Sequence, residues 1–207
     1  LYFMPGIGVN ITKPLLEKQV IDMVCFTGST YSAKQIQQWT LQYSKKFIPV
    51  VAETGGQNVM FADSTALIEQ LIPDVIESAF DSCGQRCSAL RVLFLQEDIK
   101  EEFYAALKGR LAMLNIESPF LRDSDFGPII DREARQKLIS HLTWLNKNAK
   151  AIAAVPMENS MPSDLYLAPC AYEIQDLSQL DQEHFGPILH IIPFKHDELD
   201  EKIKQVN

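Results

Sequence analysis

The chain is predicted to be an α/β protein: a parallel-sheet domain led by one partial βαβ unit of the dinucleotide-binding kind. Three observations point there. Short apolar runs of strand length alternate with longer amphipathic stretches along most of the 207 residues. The first alternation has a tight turn, Thr27-Gly28-Ser29-Thr30, between strand and helix, as a parallel unit requires. The composition, 46% hydrophobic and 22% charged, is that of a globular chain able to bury a sizeable core.

Taken in order, residues 1–4 form a short apolar run before Pro5-Gly6 and predict a strand entering a turn. Residues 22–26 read as a buried strand, 31–43 as a helix and 49–53 as the next strand. The Gly28-Ser29 turn then lies at the carboxyl end of its strand, where open α/β sheets bind ligands and a helix start can hold a phosphate. Residues 58–62 predict a strand, and Asp63 or Ser64 is expected to cap a helix striped by Leu67, Leu71, Val75, Ile76 and Phe80. Pro73 is expected to kink that helix. A strand over 89–96, with Arg91 near its start, leads to an amphipathic helix over 98–114. Phe126-Gly127-Pro128 introduces a helix over 131–148; strands follow at 151–155 and 188–194, with an exposed loop at 156–164. A boundary falls near Gly55, because one βαβ unit is too small to close a sheet and the remainder has the usual size of a domain.

The net charge of −8 argues against a general nucleic-acid role, since phosphate binding needs clustered Lys and Arg. No apolar run approaches the ~18 residues of a membrane span, and no basic leader precedes Met4. Four cysteines without framework spacing suit reduced thiols in a cytoplasmic setting. Cys83 and Cys87 stand one helical turn apart, but without a second pair no metal site is expected. His141, His184, His190 and His196 form no ligand pattern, and His190 alternates with apolar neighbours as one face of a strand.

Two positions carry chemistry. Cys87 follows Gly84-Gln85-Arg86 in the break between a long helix and a strand, where Gly84 permits unusual dihedrals and Arg86 favours a thiolate. Cys83, on the helix side, suits a buried structural thiol better. Glu53 ends a strand just before Gly55-Gly56, at the carboxyl edge of the sheet. A thiol nucleophile and a separate general base are the minimum for a covalent acyl-enzyme cycle.

The ordered set Phe26-Thr27-Gly28-Ser29, Glu53-Thr54-Gly55-Gly56-Gln57-Asn58, Gly84-Gln85-Arg86-Cys87 and Glu183-His184-Phe185-Gly186-Pro187 resembles the aldehyde dehydrogenase superfamily over essentially the whole chain. The wording around Glu53, and from Ala79 to Val92, is most similar to the Δ1-pyrroline-5-carboxylate (glutamate semialdehyde) dehydrogenase half of bifunctional proline-oxidising enzymes. The resemblance implies the aldehyde dehydrogenase fold, with 1–54 as the incomplete C-terminal part of an NAD-binding domain and 55–207 as a catalytic domain truncated at its end. It implies that Cys87 attacks the aldehyde, that its backbone N–H helps hold the oxyanion, and that oxidation with NAD leaves a thioester. Glu53 would then activate the hydrolytic water. Gly28 and Ser29 would lie near the cofactor pyrophosphate, Glu183 would bond the nicotinamide ribose, Phe185 would pack against the nicotinamide, and Ser88 would help hold a substrate carboxylate.

The same resemblance implies a cytoplasmic, homo-oligomeric parent, with FAD only in a proline dehydrogenase half outside this chain. It also places an upstream oxyanion Asn, a ribose-contacting Lys, a carboxylate-gripping loop and an oligomerisation strand outside it, so the chain alone is expected to be inactive. One departure is Thr12, where the family often has a third Gly after Pro5-Gly6-Ile7-Gly8. Two other readings stand beside this one: a dehydrogenase for another acidic semialdehyde, such as succinate semialdehyde, and a non-catalytic binding module.

Overall fold

A computed structural model describes residues 2–156 and 163–206. The chain forms two compact units, Leu1–Gly56 and Gln57–Asn207.

In the first unit, α1 (Gly8–Glu17) precedes β1 (Val24–Gly28), α2 (Thr30–Tyr43) and β2 (Val50–Thr54). β1 and β2 pair in parallel from Val24↔Val50 to Gly28↔Thr54, so this segment is the expected βαβ unit. α1 packs on α2, and Leu16, Ala33, Ile36 and Ile48 make a small buried core. The strand expected at the start is absent among the described residues. Tyr2 and Phe3 are 92% and 90% exposed, and no neighbour offers them a ladder to join. α1 escaped notice because Gly8, Ile11, Thr12 and Pro14 all read against a helix.

The second unit holds β3 (Val59–Ala62), α3 (Ile68–Phe80), β4 (Val92–Gln96), α4 (Lys100–Leu111), α5 (Arg132–Asn148), β5 (Lys150–Ala154), β6 (Cys170–Glu173), β7 (Ile188–Phe194) and α6 (Leu199–Val206). Its sheet has the order β3-β4-β7-β6-β5. β3, β4, β7 and β6 run parallel, as a parallel-sheet domain requires, and β5 is added antiparallel to β6. β5 is an edge strand starting at an exposed lysine, where an antiparallel addition to a parallel sheet is common. All five residues of β4 are buried, as befits a strand covered on both faces. Phe61 stacks on Phe94 at 4.6 Å between ring centroids, joining β3 to β4.

One local expectation is corrected. Neither Asp63 nor Ser64 caps α3. Asp63 instead accepts from the backbone and hydroxyl of Thr65, closing its own turn, and α3 starts after Leu67, which offers no side-chain cap. Pro73 lies inside α3, which runs on to Phe80 as a single helix; the missing amide falls within its first turns and removes only one ladder bond. The loop expected over 156–164 falls mainly outside the described residues.

Candidate active site

In the first unit, parallel register sets Thr27 beside Glu53 and Gly28 beside Thr54. Gly28 and Glu53 therefore share the carboxyl end of the β1–β2 pair, and Glu53 is exposed there. Ser29 caps α2, its hydroxyl accepting from the Ser32 amide at 3.1 Å. No acidic side chain occupies the first turn of α2, so nothing on that turn repels an anion from its free N–H groups.

In the second unit, the loop bearing Cys87 is held by its own motif residues. After α3 the chain reverses through Ser82, Cys83 and Gly84, all left-handed, with φ of 55°, 55° and 62°. For the two non-glycines this costs about 1–2 kcal/mol each, so the surroundings must hold the turn. Cys83 is buried, and its thiol donates to the Gly127 carbonyl at 2.9 Å. A side chain at Gly84 would strike the Gly186 carbonyl and come within 2.9 Å of that of Ala79. Gln85 donates to the Pro128 carbonyl and accepts from the Ile130 amide, while Arg86 donates to the Ser82 hydroxyl. Beyond the cysteine, Asn58 donates one amide group to the carbonyls of Cys87 (2.6 Å) and Ala89 (2.9 Å). Cys87 itself is exposed, and Ser88 beside it lines an open groove of about 440 Å³ with Ser78, Asp81 and Arg86.

The Glu183–Pro187 segment meets this loop through a buried arginine that sequence reasoning did not single out as part of a site. Arg91 is 0% exposed. Its guanidinium donates from Nε and Nη2 to Oε1 of Glu183 (3.1 and 2.9 Å) and also to the carbonyls of Gly84 (2.6 Å) and Arg86 (3.0 Å). Its charged head lies 5.0 Å from the centre of the half-exposed Phe185 ring. Burial lowers the Arg91 pKa, and the Glu183 carboxylate opposes that shift. Gln57 donates to the Gln182 carbonyl at 2.6 Å, and Gly186 packs so closely on Leu138 that a side chain there would force the leucine to move. Cys87, Ser88, Glu183 and Phe185 are thus on loops tied together in one unit, while Gly28, Ser29 and Glu53 share an edge of the other. The signal for Arg91 was a cation inside the apolar run Ala89-Leu90-Arg91-Val92-Leu93, which demands a buried partner.

Three histidines also meet, although their spacing suggested nothing. His190 on β7 and His141 on α5 approach at 2.8 Å between Nε2 atoms, and the His141 and His184 rings stack with centroids 3.3 Å apart. The Arg91 carbonyl can only accept, so Nδ1 of His190 carries a proton and its Nε2 accepts from His141. Among the described residues no group of three or more His, Cys, Asp or Glu is arranged to hold a metal ion. Burial pushes His141 down to about 3 and His190 to about 4, and lowers His184 as well.

The unfolded chain takes up protons below its ordinary histidine pKa of 6.5, whereas these buried rings resist them. Their contribution is therefore whole above pH 6.5 and is lost as pH falls from there toward the folded values. We expect a loss of about 2 kcal/mol for each of His141 and His190 at about pH 5. Denaturant unfolding from neutral to acid pH should show the fall, and His190→Asn should shallow it; an unchanged slope would refute the assignment.

The chain matches the aldehyde dehydrogenase family over residues 1–207. It is 38% identical over 212 aligned positions to the bifunctional protein PutA of Escherichia coli, an alignment covering 99% of this chain and 16% of that protein. A crystal structure of a mutant Bradyrhizobium japonicum proline utilization A superposes with a TM-score of 0.93 at 38% identity, covering 100% of this chain and 21% of that one. Betaine aldehyde dehydrogenase of Staphylococcus aureus, solved in complex with NAD+, shares the fold at 24% identity and a TM-score of 0.88, over 99% of this chain and 40% of that one. The chain therefore spans a small part of the curated relatives it matches, yet the match runs its whole length, and it belongs to the aldehyde dehydrogenase family.

Proposed function

We propose that the protein containing this chain oxidises glutamate semialdehyde, the open form of Δ1-pyrroline-5-carboxylate, to glutamate in proline catabolism, with NAD as acceptor and a thioester on Cys87. One observation carries the reading. Cys87 is the exposed thiol among the described residues of the second unit, on a loop bonded on both sides of it, whereas Cys83 and Cys170 are buried. The likeness to proline-utilising proteins supports the substrate.

The residues present suit a dinucleotide. Both bonds from Arg91 fall on Oε1 of Glu183, and no described residue bonds Oε2, which leaves an oriented acceptor for a ribose hydroxyl. Gly28 and Ser29 stand at a helix start that suits a pyrophosphate, and Phe185 offers a half-exposed ring to a nicotinamide. NAD, when bound, supplies the two-electron oxidation.

The chain's own residues do the rest. The Cys87 thiolate adds to the aldehyde carbon, and the developing alkoxide takes a hydrogen bond from the Cys87 backbone N–H. Ser88 accompanies the substrate carboxylate. Once the thioester exists, Glu53 takes a proton from water, the resulting hydroxide attacks the acyl carbon, and the thiolate leaves as the acid forms. The same reading carries a cytoplasmic, homo-oligomeric parent, with FAD confined to a separate proline-oxidising half. Among the described residues no helix is long and apolar enough to cross a membrane. The test is NADH formation by the full-length protein with Δ1-pyrroline-5-carboxylate beside succinate semialdehyde. We expect kcat/KM to favour the former by about ten-fold or more; preference for succinate semialdehyde would reassign the substrate.

A further inference from the structure

We propose that Arg91 is a positioning residue that sets the oxyanion donor at Cys87 and the cofactor carboxylate of Glu183 from one buried guanidinium. The inference rests on the roles proposed for Cys87 and Glu183 and adds a third residue that touches neither substrate nor cofactor.

The core holds one oddity. A guanidinium with 0% exposure stands immediately before the fully buried strand β4, where an apolar side chain would fill the space without desolvating a charge. What the charge accomplishes is visible in its bonds. They run to two loops, one just before it in sequence and one 92 residues beyond it, and to backbone as well as side chain.

The bond to the Arg86 carbonyl matters most. That oxygen accepts from Nη2 of Arg91 at 3.0 Å and from the Ala89 amide at 3.1 Å, so the plane of the peptide between Arg86 and Cys87 is fixed. In a planar trans peptide the N–H points opposite to the C=O. With the carbonyl drawn toward the buried guanidinium, the Cys87 N–H is turned away from it. No described backbone carbonyl receives that N–H. A donor aimed and held before the reaction is what stabilisation of a developing oxyanion requires.

On the other loop, the fork of Nε and Nη2 on a single oxygen of Glu183 fixes the carboxylate and leaves its second oxygen unused. A lysine cannot reproduce this, because it offers one point charge where arginine offers several donors in a fixed plane. Loss of the arginine should therefore disturb both loops together.

The test uses the full-length protein as Arg91→Lys and Arg91→Met, with two readouts that do not depend on aldehyde turnover. One is NAD affinity by equilibrium titration. The other is acylation of Cys87 by p-nitrophenyl acetate without cofactor, which needs the thiolate and the oxyanion donor only. We expect both variants to acylate at least about ten-fold more slowly per folded molecule and to bind NAD at least about five-fold more weakly. A filler of core space predicts a lowered melting temperature with both readouts near wild type, and that result, within about two-fold, would overturn the proposal. Should Arg91→Met not fold, Arg91→Lys combined with Glu183→Gln decides. A shared role makes the NAD effects of the two changes non-additive, and simple additivity would reject it. Failure of the wild type to oxidise any aldehyde would count against the proposed function instead, with both readouts still measurable.

Discussion

Replacing Cys87 by serine or alanine should reduce aldehyde oxidation by the full-length protein by on the order of 10³-fold or more, since alanine offers no nucleophile and serine only a hydroxyl that is scarcely ionised at neutral pH. The same change at Cys25, Cys83 or Cys170 should leave turnover per folded molecule near wild type. The contrast follows from placement. Cys25 is an exposed residue of β1, whereas Cys83 and Cys170 are buried with their thiols pushed up by burial, that of Cys170 to about 12. Their loss should be felt in folding: each change removes sulfur from a packed interior, and Cys83 also gives up its bond to Gly127, a cost of about 1–2 kcal/mol each. A thiol-directed reagent should likewise modify Cys87 before either buried cysteine. Wild-type turnover in Cys87→Ala would remove the nucleophile from the mechanism altogether.

How legible each part of the molecule was depends on whether its cause is local. The strand expected over 188–194 is β7, Ile188–Phe194, because a strand buried on both faces shows as one unbroken apolar run. β4 starts three residues later than expected. Ala89-Leu90-Arg91 continues the run toward its start but bonds its amides elsewhere, that of Leu90 to Ser78 of α3 and that of Arg91 to Asn58 just before β3. β6 was missed because it is only four residues long and holds one strong strand former, Tyr172, beside Ala171 and Glu173, which disfavour strands; β7 beside it supplies the stability.

For the site, the four motifs were recognisable as words, and the structure gives physical reasons for some of their letters. Gly84 and Gly186 meet backbone to backbone, and Gln57 and Asn58 reach the two loops that follow. Arg91 with Glu183, and His141 with His190, are partners 92 and 49 residues apart. No periodicity or capping rule refers to such distances. The first pair become neighbours only when β4 pairs with β7, and the second only when α5 lies against β7, so all four were readable only as polar residues in need of some partner.

Glu53→Gln should leave the first turnover intact and slow every later one, giving a rapid burst of NADH stoichiometric with active sites and then a steady rate lower by about 10²–10⁴-fold. The reason lies in what each half of the cycle needs. Attack on the aldehyde requires a thiolate and an oxyanion donor, both assigned in the proposed mechanism to the loop of Cys87. Hydrolysis of the thioester requires a water made nucleophilic, which calls for a carboxylate that can take its proton. Glu53 is exposed at the carboxyl end of β2, in register with Thr27, with no described hydrogen bond or ion pair to restrain its carboxylate from that task. Glutamine keeps the shape and loses only the proton acceptor, so binding and acylation should persist while deacylation stalls. Rapid quench of the burst phase should recover an acyl group on the peptide containing Cys87. Loss of the burst itself, with the protein folded and NAD still bound, would place Glu53 before the thioester, as the base that deprotonates the thiol.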